Sequence, residues 1–187
     1  MSSPEAGDLD EVLAACRRGD TGAVDALFAL VYDDLRVLAR RQLARLHPGE
    51  TLAPTVLVHE LYTRFAARSS PDLLDRGHFL ALAARAMRHI IIDYIRRRHA
   101  QRRDGGVAMS LDSHIPQPAV ASPVDLIAID AALTHLERLD ARQAMVVELR
   151  FFGGLDVDEI AAALKISERT VKRDWQKARA FLYHALQ

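Results

Sequence analysis

The last part of the chain carries the residues whose types and spacing point most clearly to a particular chemistry. From Asp156 the sequence reads DVDEIAAALKISERTVKRDWQKARAFLYHAL, in which two apolar runs with helical spacing are separated by a short turn. Ser167 is a good N-cap for the second helix. That helix projects outward the kinds of side chain that reach base edges and phosphates in a major groove: Glu168, Arg169, Lys172, Arg173, Gln176, Lys177 and Arg179. The pattern predicts a helix-turn-helix that binds DNA.

A solvated basic face on an ordinary helix pair is the competing interpretation of the same charges. Six basic residues within residues 165–187, together with the cap and the short turn, favour DNA binding. Lys165 stands where such a turn usually has glycine. Because a side chain in a left-handed turn costs on the order of 1 kcal/mol, we expect this turn to be present but strained.

A second basic segment lies earlier in the chain and reads HFLALAARAMRHIIIDYIRRRHAQRR. One helical stripe of this segment is apolar: Leu80, Ala83, Ala84, Met87, Ile91, Tyr94 and Ile95. Basic side chains crowd the remaining surface: Arg85, Arg88, His89, Arg96, Arg97 and Arg98. Arginines near the end of a helix complement its dipole, but seven arginines exceed what that requires. They suit phosphate neutralisation, with Tyr94 and His89 available to stack on an unpaired base.

Long helices are the elements that must position both basic segments. Nine glycines and seven prolines cluster at breaks, and no alternating strand pattern occurs, so we predict an all-α fold. Residues 104–123 contain three prolines, three serines and two glycines without any period, which indicates a flexible linker. This linker divides the chain into two small helical domains, residues 1–103 and 124–187, the second of which contains the helix-turn-helix.

Composition excludes several classes of protein. The chain has 187 residues, of which 50% are hydrophobic, so it can bury a core and is not disordered. Its apolar runs are far shorter than the roughly 20 residues that a bilayer requires, and its acidic start is not a secretory signal, so we predict a cytoplasmic protein with no membrane partner. The single cysteine, Cys16, excludes an intramolecular disulfide and a Cys-based zinc site, and its place on an apolar stripe predicts burial.

The charges balance over the whole chain but not within it. A net charge of zero argues at first against a nucleic-acid partner. Counted in blocks, however, residues 1–80 carry -3, residues 81–104 carry +5, residues 105–164 carry -6 and residues 165–187 carry +4. Both basic blocks coincide with the proposed DNA-binding helices. The acidic blocks either face a protein partner or shield the basic helices in the free protein.

No motif for catalysis, for a metal or for a cofactor occurs. The sequence lacks HExxH, a His-Cys cluster, a calcium loop, a phosphate-binding glycine loop and a serine nucleophile elbow. His59 and Glu60 form an isolated pair whose side chains point in different directions on a helix. We therefore predict a protein that is not an enzyme and that needs no cofactor.

The helix ending DYIRRR, the linker and the terminal ISERTVKRDW together resemble the extracytoplasmic-function (ECF) sigma factors of bacterial RNA polymerase. The resemblance runs from about Leu9 to Leu186. It implies that the N-terminal domain binds the clamp helices of the largest polymerase subunit and opens the -10 promoter element. It implies that the C-terminal domain binds the -35 element as duplex DNA.

The resemblance also assigns roles to individual positions. Five residues fall on the helix that binds the -10 element: Arg88, Asp93, Tyr94, Arg96 and Arg97. Five fall on the recognition helix for the -35 element: Arg169, Thr170, Lys172, Arg173 and Gln176. The segment RSSPDLLDRG at 68–77 lies where the family has a loop that captures a flipped base. Unstacking a base costs only a few kcal/mol, which stacking and phosphate contacts can offset.

The polymerase-binding helix departs from the family pattern. Many ECF sigma factors have acidic residues and a glutamine there, whereas this sequence reads TLAPTVLVHELYTRF, with Thr55 and Val56 at the acidic positions and His59 in place of glutamine. Polymerase binding is thus assigned to Thr55, Val56, His59 and Glu60. The TLxPTxLVHE form resembles a subgroup in which phosphorylation of a threonine, here Thr55, by a Ser/Thr kinase restores the charge.

Several alternatives remain open at this point. Thr51 and Thr55 could simply cap the helix while Val56 packs against polymerase. Control could rest with an anti-sigma factor instead of a kinase. The whole chain could be a helix-turn-helix regulator that does not engage polymerase, although such a regulator does not require the second basic helix. A helical interaction protein without a DNA role is the third class, and the salt dependence of DNA binding would distinguish it.

Overall fold

Helices make up the described part of the chain, which in this computed structural model comprises residues 6–44, 52–67, 73, 75–104 and 123–187. The elements in chain order are α1 (Ala6–Arg18), α2 (Ala23–Leu43), α3 (Pro54–Ala66), α4 (Arg76–Asp104), α5 (Pro123–Leu139), α6 (Ala141–Val147), a π-helical turn (Glu148–Phe152), α7 (Val157–Leu164) and α8 (Glu168–Ala185). No strand occurs in these residues, and the predicted all-α fold is confirmed. None of the described helices combines the length and apolar character needed to cross a bilayer.

Helices α1 to α4 pack on one another around large apolar side chains. Leu27 and Leu61 are fully buried there, and Phe28, Phe65 and Phe79 form edge-to-face pairs with ring centroids 5.7 to 6.2 Å apart. Cys16 is buried in the same core, as the sequence predicts. This arrangement fixes α3 against α2 and so builds one edge of the candidate polymerase-binding site.

Helix α4 is covered on more than one side. Its predicted apolar stripe is buried, except that Tyr94 is half-buried, and Ile90 and Ile92 outside that stripe are buried as well. The reason is that α4 contacts α1, α2 and α3 and also α5, the π-helical turn and α7. The predicted two-faced helix, apolar on one side and solvated on the other, is therefore wrong for the middle of α4.

Helices α5 to α8 form the second helical unit. Leu133, Leu136, Ala144 and Phe152 pack with Ala178 of α8 in a small core of their own. Asp140 caps α6 by accepting a hydrogen bond from the Gln143 N–H at 3.0 Å, which lowers the pKa of the Asp140 carboxyl. These contacts place α8 on α6 with one face outward.

The two helical units are docked on each other. The larger apolar cluster joins residues of α1 to α4 with Leu126, Val146, Leu149, Ile160 and Val171 of the second unit. Residues 105–122, most of the predicted linker, lie outside the described residues, so the domain boundaries at 103 and 124 stay a prediction. The docking brings acids of the second unit onto arginines of α4, in line with one of the two options that the charge blocks left open.

Candidate nucleic-acid interface

The helix-turn-helix begins with a reciprocal cap on α7. The Glu159 N–H donates to Asp156 Oδ1 at 3.0 Å, and the Asp156 N–H donates to Glu159 Oε2 at 2.9 Å. The backbone hydrogen bond lowers the pKa of the Asp156 carboxyl. The Asp-x-x-Glu spacing is a sequence signal for such a capping box, and sequence analysis missed it.

The turn between α7 and α8 has the conformation expected for it. Lys165 has φ 53° and ψ 42°, and the Ile166 N–H donates to the Ala161 carbonyl at 3.0 Å across the turn. The predicted left-handed, non-glycine turn is confirmed. The predicted cap is confirmed too, because Ser167 Oγ accepts a hydrogen bond from the Thr170 N–H at 3.2 Å.

Helix α8 turns its apolar residues inward and its basic residues outward. Val171 and Ala178 are fully buried, and Trp175 is half-buried. Exposed side chains include four of the five predicted -35 residues: Arg169, Lys172, Arg173 and Gln176. The fifth, Thr170, is half-buried, with its hydroxyl 2.9 Å from Ser167 Oγ. The structure therefore brings these side chains together along one exposed face of α8.

Asp174 is a residue of α8 that sequence analysis missed. It is 1% exposed and accepts a hydrogen bond from Arg142 Nε at 2.7 Å, while Arg173 Nε lies 3.5 Å from its other oxygen. This bond ties α8 to α6 and raises the pKa of the Arg142 guanidinium. A single acid inside a basic run is the only signal for it in the sequence, because its partner lies 32 residues away.

Arg88 of α4 is buried, so its predicted position on the surface is wrong. Its side chain is 3% exposed, and Nε and Nη2 donate to Glu148 Oε1 at 3.0 and 2.7 Å. Its Nη1 donates to the Asp130 carboxylate. Beside it, Arg85 pairs with Glu137. The cause is tertiary: α5 and the π-helical turn lie over this part of α4 and cover it with carboxylates.

The other predicted -10 residues lie further along α4. Arg96 is 52% exposed, with Nη2 3.7 Å from Asp130, and Arg97 is exposed. Asp93 pairs with Arg64 of α3 at 2.9 Å. The Tyr94 hydroxyl accepts a hydrogen bond from Arg98 at 3.2 Å. Arg96, Arg97 and Asp93 thus keep exposed side chains in the docked form, and Asp93 is paired with Arg64.

Burial changes the protonation of groups around Arg88. Burial raises the pKa of the Glu148 carboxyl, and the adjacent Arg88 acts in the opposite direction. Burial lowers the pKa of His89, and Arg88 lowers it further, while Asp130 opposes the shift from 3.6 Å away. Both shifts favour the uncharged form of these two side chains.

The candidate polymerase-binding residues form one exposed face of α3. Thr55, Val56, His59 and Glu60 are all exposed. Next to them a cavity of about 550 Å³ is lined by Phe28, Ala29, Tyr32, Thr55, Val58, His59 and Tyr62. The Tyr62 hydroxyl donates to Asp25 at 2.7 Å, which raises the pKa of that tyrosine. The structure therefore groups all four predicted residues beside an apolar groove between α2 and α3.

The start of α3 has no side-chain cap. Its N-cap residue is Ala53, Pro54 occupies the first turn, and that turn contains no acidic residue. Thr55 lies after the cap position, so the interpretation of Thr55 as a capping residue is wrong. Thr51 lies outside the described residues, as does most of the predicted base-capturing loop at 68–77. Within the described residues, no group of three or more His, Cys, Asp or Glu side chains could hold a metal ion.

An exposed basic helix in a helix-turn-helix, docked on a helical unit with a second basic helix, defines this molecule as an all-helical DNA-binding protein. A family model described as ECF sigma factor matches residues 6–187. The chain therefore belongs to the ECF sigma factor family, whose members bind core RNA polymerase and promoter DNA and direct transcription. No curated protein matches the chain at a significant level.

Proposed function

We propose that this sigma factor directs core polymerase to a small set of promoters, with a separate helix for each contact. Helix α8 binds the -35 element through Arg169, Thr170, Lys172, Arg173 and Gln176. Helix α4 binds the -10 element through Arg88, Asp93, Tyr94, Arg96 and Arg97. Helix α3 binds the clamp helices of the largest polymerase subunit through Thr55, Val56, His59 and Glu60. The observation that carries the proposal is the exposed basic face of a capped α8.

The support for a -35 contact is geometric. Ser167 fixes the start of α8, so that Arg169 and Lys172 follow in its first two turns, the part of a recognition helix that reaches base edges. Lys172 is restrained by Glu168 at 2.9 Å. This bond is exposed and weak, so a DNA phosphate or base can replace it at little cost.

Reconstituted transcription tests the proposal. Purified protein carrying Thr55→Glu, which supplies the charge of the phosphorylated form proposed below, is mixed with core polymerase and a library of genomic fragments, and the transcripts are sequenced. We expect starts at a small set of sites that share two sequence elements, and their loss with Arg169→Ala. Arg179→Ala, an exposed arginine further along the same helix, is the matched control and is expected to keep most of the activity. Tight duplex binding without any transcript would favour the regulator that does not engage polymerase.

The switch by phosphorylation of Thr55 belongs to the same proposal. The exposed Thr55 hydroxyl lies in the first turn of α3, next to backbone N–H groups that no side chain caps. A phosphate would add about -1.5 to -2 charges there, at the positive end of the helix dipole. It would supply the acidic charge that this α3 lacks at the positions where the family has it.

Substitution of the threonine tests the switch. Thr55→Ala is expected to abolish transcription in cells, and Thr55→Glu to retain or raise it in cells and in the reconstituted assay. Thr63→Ala on the same helix, where the hydroxyl already donates to the His59 carbonyl at 3.0 Å, is the matched control. Wild-type activity of Thr55→Ala in both assays would refute the switch and leave the sigma-factor function intact.

A further inference from the structure

An acid stands at the start of the basic helix α8 and lies on its exposed side. Glu168 is the first residue of α8, its side chain is 55% exposed, and its Oε2 lies 2.9 Å from Nζ of Lys172. We propose that Glu168 and Lys172 together select a G·C pair within the -35 element, with Glu168 accepting a hydrogen bond from cytosine and Lys172 donating to guanine. This role rests on the proposed binding of α8 to the -35 element, and it adds Glu168 as a specificity-determining residue.

Glu168 is the exposed acid of a helix whose outer face is otherwise basic. All residues of α8 are described, and they include one other acid, Asp174, which is 1% exposed and bound to Arg142. Phosphates dominate the affinity of proteins for DNA, and an exposed carboxylate repels them. Glu168 therefore weakens binding to DNA of arbitrary sequence, except where its carboxylate meets a hydrogen-bond donor on a base.

The major groove offers such donors on cytosine and adenine alone. The N4 amino group of cytosine and the N6 amino group of adenine donate hydrogen bonds there, whereas the polar groups of guanine and thymine accept them. Glu168 follows directly after the Ser167 cap, in the part of a recognition helix that contacts base edges. A carboxylate at this position can thus reach a base and contribute to sequence preference.

Lys172, the partner of Glu168, favours cytosine over adenine. Residues four positions apart lie on the same side of a helix, so the pair presents one acceptor and one donor side by side. In a G·C pair, cytosine N4 is hydrogen-bonded to guanine O6, so a donor and an acceptor also lie side by side at the groove edge, and guanine N7 offers Lys172 a second acceptor. In an A·T pair the acceptor beside the amino group is thymine O4, next to a methyl group, which suits an ammonium group less well.

The exchange of protein partners for base partners costs little. The side chains of Glu168 and Lys172 are 55% and 60% exposed, and a pair of this kind contributes little net stability. The backbone that carries both residues is held in place, because the Thr170 N–H donates to Ser167 Oγ at 3.2 Å and Val171 is fully buried. The acceptor and the donor are therefore positioned for one base pair before DNA binds.

The carboxylate of Glu168 also has two roles that need no DNA. An acid in the first turn complements the helix dipole, and a glutamate four residues before a lysine supports the helix. Asp158 of α7, another exposed acid in a first turn, shares the first of these roles. Loss of either role changes the free energy of unfolding and leaves the preference for particular bases as it is, so base preference distinguishes DNA reading from helix stabilisation.

The test measures base preference at every position of the -35 element. The parent protein, which carries Thr55→Glu, is mixed with core polymerase and with a promoter from the reconstituted assay whose -35 element is randomised, and the sequences that give transcripts are counted. We expect the parent to prefer a G·C pair at one position by about 5- to 150-fold, the range of one good base contact. Glu168→Ala is expected to reduce this preference at least about threefold and to keep the others. Asp158→Ala is the matched control and is expected to keep them all.

Exchange of the two residues gives a sharper test. A double variant with Glu168→Lys and Lys172→Glu keeps the net charge and an ion pair, but it reverses the order of acceptor and donor along the helix. We expect this variant to prefer the same base pair with its strands exchanged, so that cytosine stands where the parent selects guanine.

Two results would overturn the selection of G·C by Glu168. The first is an unchanged set of preferences in Glu168→Ala, which would leave this residue with its helix-stabilising roles alone. The second is an equal loss at every position, which would assign the effect to general affinity. If the parent gives no promoter-specific transcript, the proposed function fails, and selection of randomised duplexes by the full chain without polymerase then decides the role of Glu168. A G·C preference that disappears in Glu168→Ala would support that role, and its absence from the parent would refute it.

Discussion

The two basic helices, α4 and α8, have a similar basic character and different environments. Both carry arginines at close spacing together with an aromatic residue, and both lie in blocks of positive net charge. In the fold, α8 keeps Arg169, Lys172 and Arg173 exposed, whereas Arg88 of α4 is 3% exposed. The difference arises from their neighbours: α8 packs on α5, α6 and α7 along one side only, while α4 lies between two helical units. Exposure of a basic residue is therefore decided by what covers the helix and not by its own sequence.

The same contrast holds for the buried charges of the two helices. The buried ion of α4 is a base, Arg88, held by acids of the second unit. The buried ion of α8 is an acid, Asp174, held by a base within its own unit. The first pairing joins the two units, and the second holds α8 on α6.

Removing Arg88 is expected to have the largest effect on stability. Arg88→Met would leave Asp130 and Glu148 buried without their cation, and breaking such a pair typically costs about 3–5 kcal/mol. Lys172→Met on α8 loses only an exposed pair with Glu168, worth about 0–1 kcal/mol. Urea unfolding of both variants measures the difference. Equal losses would contradict the contrast between the helices.

Removing Asp174 is expected to have an intermediate effect. Asp174→Ala deletes the buried acceptor of Arg142, but the 46% exposed Arg142 side chain can turn to water. We expect a loss of about 1–3 kcal/mol, the usual range for a broken buried hydrogen bond to a charged group. Asp93→Ala on α4 is the control, because the Asp93–Arg64 pair is exposed on both sides and contributes less than about 1 kcal/mol. Near-neutral unfolding of Asp174→Ala would show that the bond to α6 does not hold α8.

His89, which lies beside Arg88 and Asp130, is expected to make the stability of the protein depend on pH. Its pKa in the folded protein is below the ordinary value of 6.5, because burial and Arg88 both disfavour the charged ring. Between the folded and the unfolded pKa of His89, the unfolded chain binds more protons than the folded protein. The free energy of unfolding therefore has its full value above the unfolded pKa and falls as pH decreases through the folded pKa. We expect His89→Gln to reduce the loss of stability between about pH 7.5 and pH 5. His59→Gln on α3 is the control, and an equal reduction there would remove His89 as the cause.

Sequence analysis succeeded where the signal was local. The Ser167 cap and the left-handed Lys165 depend on residues within one or two turns, and both are confirmed. It failed for Arg88, because the acids that bury this residue lie 42 and 60 positions further along the chain. The spacing of apolar residues within α4 does not indicate which other helix will cover it. The charge blocks left two options, and one of them was that acids shield the basic helices. They did not indicate which acids would do so.

Substitution of Lys165, which lies where the helix-turn-helix contacts α4, is expected to change the free energy of unfolding least. It belongs to the helix-turn-helix, and its Nζ lies 3.0 Å from Asp75 at the start of α4. Lys165→Gly would relieve a left-handed conformation that costs a non-glycine residue about 1 kcal/mol, while losing a pair worth about 0–1 kcal/mol, so we expect a net gain of less than about 1 kcal/mol. Lys165→Ala loses the pair and keeps the strain, so it is expected to be slightly destabilising. Urea unfolding of the two variants separates strain from charge, and a glycine variant no more stable than the alanine variant would mean that the turn stores none of the expected strain.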